Sequence, residues 1–485
     1  MRLLTNISFA LLLLVSFASC KKDDVVDLEP IDLIPSERAF LTFNDITTGL
    51  NGVYGTWQAR RSTHLTSFIT DEVRLGTGTS YRNIGNILFN FQYVSDAQDF
   101  RDTETGGVFT NLYQVIDRAN RVLELMVPVP TTSAAEAALK NQYRGELLGL
   151  RALAHLELLR WYAATVQYSP DAPGIVIQSE YVKSVSTYFP GRSKQSEVVT
   201  FINKDLDEAK TLIPTSFTDI SRLTRNAITA SQVRVAQHTG NWQIVVDRAT
   251  EVLASQPITP RASYAALWTT RTLASNQSTE VIWKLNVQQA NLGLAVGSLF
   301  QDLNGAVQAA PSLKLINSYD KVNDIRYPTF FTAPTTAAPT GLIAKYGAVV
   351  GSNNENFQYD IKMIRSSEIL LARAEAYAEL NQFTPANADL ALLRNNRISG
   401  YSHVAITNKQ ALIDEILLER YRELAYEGQR YHDLRRRSLP ISRNAADIGG
   451  ISTSQTLLST DAKYLLPIPQ QETFANPNIG QNPGY

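Results

Sequence analysis

The chain has a single cysteine, Cys20, among 485 residues. One thiol excludes both an intramolecular disulfide framework and a cysteine metal cluster. Histidine is scarce as well: His64, His155, His238, His403 and His432 stand far apart and form no H-E-x-x-H pair, so they read as surface or structural residues. No G-x-S-x-G elbow and no phosphate-binding glycine loop occurs. No excess of either charge is present: 45 Lys+Arg against 46 Asp+Glu leave a net charge of -1, which excludes an electrostatic nucleic-acid footprint and a polybasic membrane surface. Neither a cofactor nor a metal is expected from this inventory.

What remains is a globular composition. A hydrophobic content of 44% over this length supports one large or two ordinary domains. The position of Cys20 explains it. Arg2 supplies a short positive region, Ile7 to Phe17 is apolar but too short to span a bilayer, and Phe17-Ala18-Ser19-Cys20 places small residues before the cysteine. Residues 1–19 therefore read as a lipoprotein signal peptide with Cys20 as the acylated residue. Residues 20–35, with two prolines and alternating acids, read as a lipidated tether.

Beyond the tether, 36–256 reads as a helical scaffold interrupted by a loop-rich insertion at 63–102. Ser36 to Arg61 carries an apolar stripe and predicts an opening helix, while Gly106–Val127 and Ala134–Thr165 predict a helical hairpin across Pro128 and Pro130. Ala227–Ser255 and Ser366–Arg397 each predict two helices with alanines at the crossing, which is a tetratricopeptide-like pattern. Such pairs bury their faces only by stacking. Between them, 257–359 is rich in Gly, Asn, Pro and Thr, with a predicted strand at EVIWKLNV, and 360–485 returns to helix. The fold class is thus mostly α, a tetratricopeptide-like scaffold with loop-rich insertions and short strands.

From Asn408 to Ser438 apolar residues recur at three- and four-residue steps through Leu412, Ile416, Tyr421, Leu424, Gly428, Tyr431 and Leu434, predicting one long helix. Its other side carries Glu415, Glu419, Glu423 and Glu427, with Arg420, Arg422 and Arg430 in reach, and reads as a solvated or arginine-neutralised face. Within it, Glu419, Arg420, Glu423, Leu424, Glu427, Gly428, Arg430, Asp433, Leu434 and Arg436 fill an E-R-x-x-E-L-x-x-E-G-x-R-x-x-D-L-x-R pattern that resembles the signature of the SusD/RagB family, nutrient-binding outer-membrane lipoproteins of Bacteroidetes. The closing stretch Tyr464–Tyr485 resembles that family's end, and Lys21-Lys22-Asp23-Asp24 resembles its export signal to the outer-membrane exterior.

The resemblance implies a SusD-like fold, a variable ligand-facing subdomain at 257–359, a lipid-anchored outer-membrane location facing the exterior, and a partner TonB-dependent, SusC-like transporter. It also implies capture of oligosaccharides or, in another branch of the family, of peptides; a structural helical-repeat adaptor without a small ligand is the rival reading. Loop aromatics that stack on sugar faces and directional polar groups are the ligand-binding candidates: Arg74, Tyr81, Arg82, Asn83, Phe89, Phe91 and Tyr93 in the first insertion, and Asn291, Phe300, Gln301 and Asn304 in the second. The carboxylate pairs Asp71/Glu72 and Asp99/Asp102 raise a glycosidase reading, but adjacent side chains point apart and no catalytic residue is assigned.

Overall fold

Helix α1 (Phe43–Thr56) begins where the Asp45 carboxylate accepts the Thr42 N–H at 2.7 Å. A computed structural model describes residues 39–75, 82–96, 101, 103–183, 187–275, 279–287, 295–302, 304–336, 338–348, 357–448 and 455–485, with backbone alone at 82–84. The signal peptide, Cys20, the tether, Tyr81, Asn291 and the Asp99/Asp102 pair lie outside the described residues.

The opening helix is shorter than its stripe predicts. It stops at Trp57, whose indole meets the edge of Trp283 at 5.7 Å, and the Gln58 N–H donates to Asn111 Oδ1 at 3.0 Å. Tertiary contacts end it, and α2 (Ala59–Ile69) restarts the chain inside the stretch read as loop. Strand β1 (Val73–Leu75) and helix α3 (Arg82–Phe89) follow.

The helical hairpins match the sequence reading. Helix α4 (Thr103–Leu125) packs on α5 (Ala134–Tyr162), which Ser133 caps by accepting the Glu136 N–H at 3.2 Å. Helix α6 (Gln195–Leu212), left unassigned above, lies against α5. The approach requires glycine: a Cβ on Gly145 would stand 3.2 Å from the Ala209 carbonyl oxygen and 3.0 Å from Leu212 Cβ. Helices α7 (Arg225–Thr239) and α8 (Trp242–Ser255) turn at Gly240, φ 72°, and stack against α6.

The next layer on α8 is not its chain neighbour. Helix α9 (Ser366–Glu379) packs there, then turns through Asn381, φ 60°, into α10 (Phe383–Asn395). Ala230, Ala249, Ala372 and Ala376 are fully buried, so the small residues let the layers close. The intervening segment is looped out of a continuous stack. It leaves through β2 (Val281–Leu285), adds β3 (Ala309–Pro311), which pairs antiparallel with β1, and returns through β4 (Ile361–Arg365), antiparallel to β2.

The long helix of the signature is in fact two. Helix α11 (Lys409–Glu423) ends, Tyr426 and Gly428 take φ of 63° and 76°, and α12 (Arg430–Arg436) begins after the turn. The apolar spacing continues across the break because both sides pack on the same core, so period alone conceals it. A short hairpin, β5 (Ile441–Ser442) with β6 (Thr456–Leu457), completes the strands.

Candidate functional site

The broken helix places its acids inside the protein. Glu419 and Glu423 are 0% exposed. Glu423 meets Arg365 at 2.9 Å, Arg397 at 3.1 Å and Arg326 at 3.1 Å; Glu419 meets Arg326 at 2.6 Å and Arg394 at 2.8 Å. Glu427 receives Lys345 at 2.6 Å, and Glu280 from β2's leading edge bridges Arg365 and Arg397. Burial alone would raise the Glu419 and Glu423 carboxyls; the guanidiniums reverse it, holding Glu419 at about 2 and Glu423 well below the usual carboxylate range. Of the two predicted forms of this face, the arginine-neutralised one is present and the solvated one is not. The network stitches α11 to both ends of the looped-out segment, through Glu280, Arg326, Lys345 and Arg365.

The acid pair Asp71/Glu72 is likewise structural. Asp71 accepts both Arg430 nitrogens at 2.8 Å and Lys314 at 2.7 Å, while Glu72 accepts the Tyr426 N–H and Ser67 Oγ, each at 2.9 Å. Burial, with Asp71 adding to it, pushes Glu72 up to about 7. Two carboxyls with separated affinities can serve as acid and base, but each of these is about 1% exposed and fully engaged in a clamp. Their work is to bind the signature turn to the start of β1.

That clamp brings the two insertions together. In the β1–β3 pair, Arg74 lies opposite Ala310, and its Nη2 donates to Thr340 Oγ1 at 2.8 Å while Nε has no protein partner among the described residues. Arg74 is half-buried at this seam. Asn304 is exposed on a turn in which Asp302 accepts the N–H groups of Asn304 and Ala306. Arg82 and Asn83 fall on α3, their side chains outside the described residues.

The predicted loop aromatics are a correction. Phe89, Phe91, Tyr93 and Phe300 are at most 7% exposed and present no face to a ligand. Phe89 and Phe91 flank the Arg443 guanidinium at 3.8 and 4.7 Å, Phe300 meets Tyr426 at 5.1 Å, and the Tyr93 hydroxyl donates to the Lys463 carbonyl. Gln301 is also interior, donating to the Gly305 carbonyl at 3.1 Å. Loops without periodicity give no signal of which side faces inward, so composition alone promoted core residues to candidates.

Sequence reasoning passed over the open clefts. One of about 300 Å³ between α1 and β2 is lined by Asn51, Tyr54, Trp57, Arg222 and Asn286; another, of about 620 Å³, runs along α6, α7 and α8 past Tyr168, Asn203, Asp207 and Gln232. Both mix aromatic edges with amide groups suited to hydroxylated ligands, joined by Arg222 in the first and by Asp207 in the second. Among the described residues no group of His, Cys, Asp and Glu could hold a metal ion, and no helix is long and apolar enough to cross a membrane.

The architecture is a stack of helical hairpins with loop-rich insertions, its signature acids Glu419 and Glu423 buried against arginines. Comparison with known proteins gives the lineage. The SusD family model matches residues 331–485, and the model described as starch-binding associating with outer membrane matches 40–236. SusD-like protein P38 of Formosa agariphila is 24% identical over the whole of both chains. A SusD superfamily protein of Bacteroides thetaiotaomicron superposes with a TM-score of 0.78 at 21% identity, covering 91% of this chain and 100% of its own. A laminarin-binding SusD-like protein superposes with a TM-score of 0.70 at 19% identity, covering 92% of this chain and 100% of its own. Along most of its length the chain is similar to the SusD/RagB family, whose members are binding proteins.

Proposed function

We propose that this chain is a cell-surface receptor that captures an oligosaccharide and passes it to a TonB-dependent, SusC-like outer-membrane transporter, anchored by lipid on Cys20. The observation that carries the reading is the β1–β3 seam, where two insertions far apart in sequence meet and leave Arg74 half-buried, its Nε without a partner among the described residues. Arginine at such a rim supplies directional donors to sugar hydroxyls. Tyr81, Arg82 and Asn83 follow β1 in the chain and Asn291 precedes β3, so these remain the ligand candidates beside Arg74 and Asn304, with 257–359 as the variable ligand-facing subdomain.

The family's starch-binding description and the laminarin-binding relative make glucans the first class to test. Calorimetric titration of the chain from Val25 onward against laminarin, starch oligosaccharides, other glycans and a peptide digest tests the reading. Saturable heat with one glycan class, lost in Arg74→Ala, supports it. Binding of peptides alone moves the chain to the peptide-capturing branch, and silence throughout favours the adaptor. For the anchor and partner, the full chain should bring down a channel from mild detergent, and Cys20→Ala should leave the membrane fraction.

A further inference from the structure

Behind the signature turn, α12 faces α5 and α7 across a cavity of about 20 Å³, room for one particle the size of a water molecule or a halide ion. Its wall is unusually basic. Arg160 is paired with Glu157 at 2.7 Å, Arg234 with Glu368 at 2.7 Å, Arg420 with Asp433 at 2.8 Å, and Arg436 with Glu375 and Asp433. Arg435 is the exception. Its five N–H groups donate to the carbonyls of Arg160, Trp161, Ala163, Thr165 and Val166 around the end of α5, and no carboxylate pairs with it among the described residues. A helix C-terminus carries roughly half a negative charge, so part of this buried guanidinium's charge is left uncompensated at the cavity.

Two imidazoles line the same space. His432 is 4% exposed, and neither Nδ1 nor Nε2 has a hydrogen-bond partner among the described residues; the nearest acid, Glu157 Oε2, is 3.7 Å from Nε2. The His238 Nε2 is buried and likewise unpartnered. Burial, and then the surrounding arginines, hold His238 at about 3 and His432 well below its ordinary range. Both rings are therefore neutral at pH 7, and each carries an N–H donor. A buried donor left without a partner is costly, which makes an occupant favourable. The field that keeps protons off these rings attracts negative charge.

We propose that this cavity binds a single monovalent, halide-sized anion, held by the imidazoles of His238 and His432 in the uncompensated field of Arg435. A water molecule would satisfy the nitrogens and leave the surplus charge in place; a halide answers both. The site is distinct from the β1–β3 seam and does not depend on what the seam binds.

Crystals of the protein grown in sodium bromide test this directly. An anomalous bromine peak beside His432 is the expected result, and an ordered water there without anomalous signal at saturating bromide overturns the proposal. In solution at constant ionic strength, replacing acetate by bromide should raise Tm in the wild type and leave His432→Phe, which keeps the ring edge against Trp161, unchanged. A Tm indifferent to the exchange in the wild type counts against the site. Should His432→Phe fail to fold, the wild-type bromide peak still decides, with His238→Phe as the second variant.

Discussion

The stacked hairpins and the signature junction are held by opposite means. Between α5, α6, α7, α8 and α9 the contact is mainly apolar, with alanines and Gly149 setting the spacing, and carries individual ion pairs such as Arg151–Asp205 and Arg234–Glu368. At the junction of α11 with β2 and β4 the contact is ionic, with Glu280, Glu419, Glu423 and the partly buried Glu427 against the buried Arg326, Arg365, Arg397 and Lys345. Apolar packing tolerates substitution by degrees, whereas a buried charge is all or nothing: its desolvation is offset only while every partner stays in place. The stack supplies bulk stability and the junction supplies a defined geometry for the looped-out segment.

The comparison sharpens under mutation. The largest effect is expected at the junction. Glu423→Gln leaves Arg397, Arg365 and Arg326 short of a carboxylate and should cost about 3–5 kcal/mol in denaturant unfolding. Phe300→Ala, which empties a core site against Tyr426, should cost about 3–4 kcal/mol of stability. If the ring instead touched ligand, affinity would fall with stability unchanged. In the stack, Ile369→Val should cost only about 1 kcal/mol, because the layers lose one methylene without a charge being stranded.

Acid and neutral pH separate the two kinds of carboxyl. Glu419 is depressed to about 2, so the stability it contributes is complete above pH 4.5 and lost as pH falls toward 2. Glu72 is raised to about 7; the folded state holds its proton more tightly than the unfolded one, so stability declines as pH rises from 4.5 to about 7. Thermal unfolding of Glu72→Gln should lack that neutral-side decline while keeping the acid limb. The smallest effect on stability is expected of Arg74→Ala, within about 0.5 kcal/mol at its half-exposed position, with ligand affinity falling roughly tenfold through the loss of one charged hydrogen-bond partner.

The hairpins were legible because their signal is local: Gly240 and Asn381 mark the turns, alanines the crossings, and a 3.6-residue period the buried faces. The break after Glu423 was not, because Tyr426 adopts a left-handed conformation with no sequence cue, and the stripe resumes in phase beyond it. The family pattern located the functional class, yet the ligand candidates Phe89, Phe91, Tyr93, Phe300 and Gln301 proved interior. Their surroundings come from segments hundreds of positions away, such as Arg443 over Phe89 and Tyr426 beside Phe300, and no single-chain periodicity reports such pairs. Arg74 lies on a strand rather than in a coil, half-buried opposite Ala310.

The pairing of β2 with β4 gives the looped-out segment fixed ends, side by side, on a stack that is already continuous through α8 and α9. Loop-closure entropy then grows only logarithmically with what is placed between those ends, about 0.6 kcal/mol for each doubling of a flexible loop. Longer or differently shaped segments can be carried at nearly constant thermodynamic cost, so the scaffold behaves as a socket for exchangeable segments. A chimera that trades the residues between Leu285 and Ile361 for those of another member, with Arg326 and Lys345 kept in place against Glu419, Glu423 and Glu427, should fold on the same foundation.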